Sequence, residues 1–170
     1  RAFAKQGHGV TVLAMNTGKH YFNPMELPEE ITEEVMFHSV RINTEVSSLD
    51  AMRSLLLNRS YNVQRFISEE YAEQLRVILR EYGPYDVVQL EGIYLAPYLP
   101  IIRKHSKALV SLRAHNIEHQ IWERRARNEP SFLRKRYLSI LATQLKKYEA
   151  ARLKEIDTLV PISPVDELGF

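Results

Sequence analysis

Ala108–His119 reads ALVSLRAHNIEH, and its character changes halfway along. Ala108–Leu112 is a short apolar run, the pattern of a strand buried on both faces in a parallel sheet. Arg113, His115, Asn116, Glu118 and His119 then bring five polar or ionisable groups into seven residues, and a helical pattern follows. Ligands of open α/β sheets bind beyond the carboxyl ends of the strands, so this boundary is where chemistry is to be sought.

Outward from it, apolar runs alternate with helical periodicity. Val10–Met15, Val35–Ile42, Asp86–Leu90, Ala108–Arg113 and Thr158–Ile162 read as strands, with Val35–Ile42 at the sheet edge. Helices are expected at Ser48–Ser60, Val63–Glu81, Ile93–His105, Ile117–Asn128 and Ser131–Ile156. Pro97 and Pro100 should restart or kink the third, because proline lacks the amide donor. In Val63–Glu81 the apolar stripe is Phe66, Ile67, Tyr71, Leu75, Ile78 and Leu79; in Ser131–Ile156 it is Leu133, Tyr137, Leu141, Leu145 and Tyr148. Asn16–Glu34, with two prolines, reads as a long loop. Strands and helices in alternation imply a doubly wound, Rossmann-like parallel sheet forming one domain over residues 1–170.

Composition narrows the classes. No cysteine is present, which excludes disulfides and thiolate metal sites and suits a reducing cytoplasm. A formal charge of +2 gives no reason to expect nucleic acid. No apolar run approaches the ~20 residues that span a bilayer. Arg1–Gln6 resembles the end of a helix, closed by Gly7, that runs straight into Val10–Met15. That is the second half of a βαβ unit, whose first strand would precede Arg1. The expectation is a domain trimmed at both ends. In a sheet ordered 3-2-1-4-5 that first strand lies between Val10–Met15 and Asp86–Leu90. Those two should therefore pair directly, or accept a segment such as one exchanged with a second chain, and the fragment is expected to be marginally stable or to self-associate.

RAFAKQGHGVTVLAM, YDVVQLEG, ALVSLRAHNIEHQIWERRA and EIDTLVPISPVDE, in that order, resemble the N-terminal, acceptor-side half of a GT-B glycosyltransferase. The nearest group is the retaining, nucleotide-sugar-dependent branch, of the group 1 or family 4 type, that builds bacterial surface polysaccharides. The resemblance implies two Rossmann-like domains facing across a cleft, with a nucleotide sugar as donor substrate and no other cofactor. It implies a saccharide or lipid-linked acceptor, and it makes His115 the histidine that faces the donor sugar. The Gly-rich turn after the first strand and the C-terminal donor-binding domain, with its paired glutamates and basic diphosphate clamp, would lie outside this sequence. Catalysis would need that second domain. A GT-B-type sugar-nucleotide epimerase and a non-catalytic Rossmann-like binding domain are the alternative readings.

The residues themselves allow a plainer account of each position. His115 can orient a sugar hydroxyl as a neutral imidazole, or simply cap the following helix or bond a loop carbonyl. Asn116 is placed to cap the following helix, and Glu118 would lie in its first turn, where the dipole favours a carboxylate. Glu91, ending the neighbouring strand, can pair with Arg113 as a structural ion pair or as an acceptor contact. His115–His119 also spells H-x-x-E-H, a zinc pattern that needs both histidines inside one helix. Here the first falls at a strand end and no third ligand stands out, although Glu149 and Glu155 lie downstream, so no metal is expected.

Gly7-His8-Gly9 follows a helix rather than a strand and serves a turn, not a dinucleotide. Ile121–Arg136 concentrates Arg124, Arg125, Arg127, Arg134, Lys135 and Arg136, with Trp122 and Phe132, against Glu123 and Glu129. It reads as a solvated helical face or as a peripheral contact with an anionic membrane. Arg53, Leu55, Leu56, Leu57, Arg59 and Arg65 form a weaker candidate for the same role.

Overall fold

The computed structural model describes residues 2–19, 21–45, 54 and 60–162. Five parallel strands lie on the five apolar runs. β1 (Thr11–Thr17) pairs with β2 (Met36–Ile42), while β3 (Val87–Glu91) pairs with β4 (Leu109–Ala114), which pairs in turn with β5 (Thr158–Pro161). The helices are α1 (Ala2–Lys5), α2 (Glu29–Thr32), α3 (Tyr61–Gln64), α4 (Glu69–Glu81), α5 (Leu99–His105), α6 (Glu118–Asn128) and α7 (Phe132–Leu153). The helix expected at Ser48–Ser60 falls almost wholly outside the described residues, as do Arg53, Leu55, Leu56, Leu57 and Arg59. Arg65 stands over the Phe66 ring, 5.3 Å from its centroid.

The sheet comes in two pieces. Within the described residues β1 and β3 do not pair directly, contrary to one of the two outcomes expected for them. The hydrogen-bond phase shows what each presents. Met36 N–H donates to Val10 O, so even-numbered residues of β1 bond to β2 and Thr11, Leu13, Met15 and Thr17 face the other way. Leu109 N–H donates to Asp86 O and Gly92 N–H to Arg113 O, which leaves Val87, Gln89 and Glu91 on the free edge of β3. Tyr85 ties the starts of these strands together, its hydroxyl donating to Thr11 Oγ1 at 3.0 Å.

One apolar core nevertheless spans both pieces. Tyr71, Leu75 and Leu79 of α4 and Leu99 and Ile102 of α5 pack with Leu90, Val110, Leu112 and Ile42, and Leu13 and Met15 join from β1. Leu99, Ile102 and Leu112 are almost wholly buried, each stabilising by about 1.5–3 kcal/mol.

The continuous helix expected over Val63–Glu81 is broken. Ser68 caps α4 by accepting the Tyr71 N–H, and Glu69 and Glu70 occupy its first turn, where the helix dipole favours them. Tyr98 secures the break: its hydroxyl accepts the Ser68 N–H at 2.9 Å and donates to Phe66 O at 2.8 Å. Ile67, expected in the stripe, is consequently exposed. Ile93–His105 also divides, into a 3-10 turn over Ile93–Tyr98 and α5, whose first turn holds Pro100. The loop expected over Asn16–Glu34 contains one 3-10 turn and α2.

Candidate functional site at the carboxyl ends of β3 and β4

Glu91 and Arg113 are register partners at the ends of β3 and β4, so their side chains leave the sheet on the same side. Their charged atoms lie 3.6 Å apart. His115, one residue past β4, brings Nε2 to 2.8 Å from Glu91 Oε2. Gln89, also on the free edge of β3, donates to the other Glu91 oxygen at 2.6 Å. Both carboxylate oxygens are therefore held, and the imidazole is aimed by a fixed acceptor. Gly92 makes the turn that permits this, its φ of +102° lying in the region that side chains disfavour. Glu91, Arg113 and His115 are each a little under half exposed, so the cluster is an open shelf.

A second, buried cluster lies behind it. The α6 cap position falls on Ile117, which has no side-chain acceptor, and Asn116 does not serve as the cap expected of it. Glu149, reaching across from α7, takes that role. Its Oε1 accepts the Glu118 N–H at 3.0 Å and its Oε2 the His119 N–H at 3.1 Å. A carboxylate on the first free amides of a helix satisfies otherwise orphaned donors and complements the dipole. His119 Nδ1 meets the same Oε2 at 2.6 Å, and because that carboxylate already accepts two amides the ring nitrogen is the donor. Glu149 is 4% exposed, so these bonds replace water almost completely.

Glu118 does lie in the first helical turn, and its Oε2 accepts from Tyr94 Oη at 2.8 Å. Burial pushes the Glu118 carboxyl up, and the neighbouring Glu149 charge adds to this, while the Tyr94 bond and His115 oppose it. Burial, then the adjacent Glu118 charge, also raises the Tyr94 phenol. Ile93, Leu112, Ala114, Asn116, Glu149 and Leu153 line a cavity of about 10 Å³ between the clusters, room for no more than a water. This cavity is too small for a ligand of sugar size, whereas the shelf beside it is open.

The histidines of H-x-x-E-H turn to different carboxylates, His115 to Glu91 and His119 to Glu149. Glu155 pairs with Arg152 at 2.8 Å. Among the described residues no group of three or more histidine, aspartate or glutamate side chains is arranged to hold a metal ion.

The chain matches no family model, no curated protein and no solved structure.

Of the residues singled out in the sequence, Glu91, Arg113 and His115 meet on the shelf. Glu118 stands behind it, and Asn116 lies exposed beside the cavity. Tyr94, and Glu149 as a cap, went unforeseen. A signal for Glu149 was present: it follows Leu141 and Leu145 at four-residue spacing on the buried face of α7, and a carboxylate there must have a partner.

Proposed function

We propose that this chain is the acceptor-side domain of a retaining, GT-B-type glycosyltransferase. It would be a doubly wound Rossmann-like half that moves sugar from a nucleotide sugar to a saccharide or lipid-linked acceptor in surface polysaccharide synthesis. The observation that carries the reading is the Glu91–His115 contact beside Arg113 at the carboxyl ends of two parallel strands. With Nε2–H donating to Glu91, His115 keeps a bare Nδ1 that can accept a hydrogen bond from a sugar hydroxyl. Arg113 and Gln89 hold Glu91 in place, and Arg113 adds a positive charge suited to a developing oxyanion. The donor domain and nucleotide site belong to a partner half, and the setting is the cytoplasmic face of the membrane. No helix of the described residues is long and apolar enough to cross a bilayer.

The test is made on the complete enzyme, with a panel of nucleotide sugars and release of the nucleoside diphosphate as readout. His115→Ala should lower kcat by ~10²-fold or more, the scale of a polar group positioned at a transition state. Because His115 is exposed, the melting temperature should hardly move. Full turnover in the folded variant would overturn the role. Epimerised nucleotide sugar in place of transfer would overturn the reaction class.

A further inference from the structure

α6 and α7 form an antiparallel hairpin whose tip sets exposed apolar side chains among positive charges. The three residues Glu129–Ser131 join the helices, and the next five, Phe132–Arg136, are all exposed. Phe132 is 73% and Leu133 77% exposed, although Leu133 begins the same stripe that buries Leu141 and Leu145 further along. Tyr137 and Leu138 pack in the small cluster that includes Trp122 of α6, whereas Phe132 and Leu133 in the first turn of α7 are left uncovered. Two adjacent large apolar side chains, both more than 70% exposed, are uncovered where the sequence pattern called for a buried position.

The charge around them is one-sided. Arg124, Arg125 and Arg127 are exposed on the last turns of α6, and Arg134, Lys135 and Arg136 on the first turns of α7. Against these six stand Glu123 and Glu129, so residues 121–136 carry +4 in a chain whose total is +2, leaving −2 on all the rest. Arg125 also lies over the Trp122 ring, 5.2 Å from its centroid. Exposure of an apolar side chain alone would mean little. Met25 is 94% exposed, but it stands singly, with Glu26, Glu29 and Glu30 as its charged neighbours. Among the described residues, the hairpin tip joins an exposed apolar pair to concentrated positive charge.

We infer that this tip docks the protein on an anionic lipid bilayer, with Phe132 and Leu133 entering the headgroup–acyl boundary and the six cations lying against lipid phosphates. The two features match the two halves of a membrane interface, an apolar layer ~5–10 Å below an anionic surface. A nucleic acid would use the cations and could stack on Phe132, but it offers nothing for Leu133. Docking is argued from this surface alone and stands apart from the transfer reaction.

The experiment is sedimentation of the purified protein with vesicles of phosphatidylcholine, with or without phosphatidylglycerol, across a range of salt. Binding should require the anionic lipid and weaken as salt screens the cations. Phe132→Ser with Leu133→Ser keeps every charge and should still cost about tenfold or more in vesicle affinity. Replacing Arg134, Lys135 and Arg136 by glutamine should cost roughly 10²- to 10³-fold. All five positions are exposed, so circular dichroism and melting should match the parent. Equal, negligible sedimentation with neutral and anionic vesicles would overturn the proposal. So would a Phe132→Ser/Leu133→Ser variant that binds like the parent, or binding to a single-stranded oligonucleotide at salt where no vesicle binding remains.

Discussion

The Tyr71 hydroxyl donates to the carbonyl of Leu13 at 3.1 Å, from α4 to the free edge of β1. Leu13 O points away from β2, so this phenol supplies the partner that a neighbouring strand would otherwise give. Tyr71 is 5% exposed and its ring lies 4.7 Å from that of Tyr98. Burial, then the neighbouring Tyr98, raises its phenol, which keeps it a donor throughout the physiological range.

Tyr71→Phe should accordingly destabilise the protein by about 1–3 kcal/mol, because the shape is kept and a buried acceptor is left unpaired. Urea unfolding measures this. A change below ~0.5 kcal/mol would mean that water reaches Leu13 O and that the strand edge is wetter than its packing implies.

Glu149→Ala should cost about 3–5 kcal/mol or prevent folding, since it strands two helix amides and a buried imidazole together. Glu149→Gln retains an acceptor but cannot serve all three donors, so its melting temperature should fall between the two. Equal melting for the glutamine variant and the parent would show that the negative charge contributes nothing at the α6 terminus.

Acid sensitivity should gather at Asp157, where the chain enters β5. Its carboxylate accepts the Val110 N–H at 2.6 Å and bonds Arg103 at 2.9 Å, and these, the amide first, hold its pKa below the ordinary value of 3.8. A carboxyl depressed in the folded state contributes stability above its unfolded pKa, and that contribution is lost as pH falls through the folded one. Asp157→Asn should therefore lower the melting temperature at neutral pH and flatten the fall below pH ~4. Parallel pH–melting curves for variant and parent would sink the assignment.

Legibility in the sequence followed how local each signal was. The five strands were readable because β-branched and aliphatic runs bounded by Gly, Pro and polar clusters have one interpretation in an alternating chain. The Glu91–Arg113 pair was readable because parallel strand ends bring such residues together. The break before α4 was written in Ser68-Glu69-Glu70 but masked by Phe66 and Ile67, which prolong the apolar period through it. Its cause lies in Tyr98, thirty positions away from Ser68. The cap of α6 went to Glu149 rather than Asn116 because a buried carboxylate can bind two amides at once, and only the α6–α7 packing places it there.

The free edges of β1 and β3 lead to the last prediction. Thr11, Leu13 and Met15 on one side and Val87, Gln89 and Glu91 on the other direct backbone groups away from their paired strands. Tyr71 meets the Leu13 carbonyl and Tyr85 the Thr11 hydroxyl, and strand edges of this kind recruit further strands. The starts of β1 and β3 lie together at the Tyr85–Thr11 bond, so one more parallel strand could pair with both and make a single six-stranded sheet. Each strand hydrogen bond so added is worth about 0.5–1.5 kcal/mol net, and several together are a sizeable share of a domain's stability. The 170-residue chain should therefore self-associate or melt low. A version extended by an apolar strand ahead of Arg1 should be monomeric with a markedly higher melting temperature. Light scattering and thermal melting of the two decide it. A chain that is already monomeric and gains nothing from the added strand would show that β1 and β3 do not bound one sheet, and the doubly wound reading would fall with it.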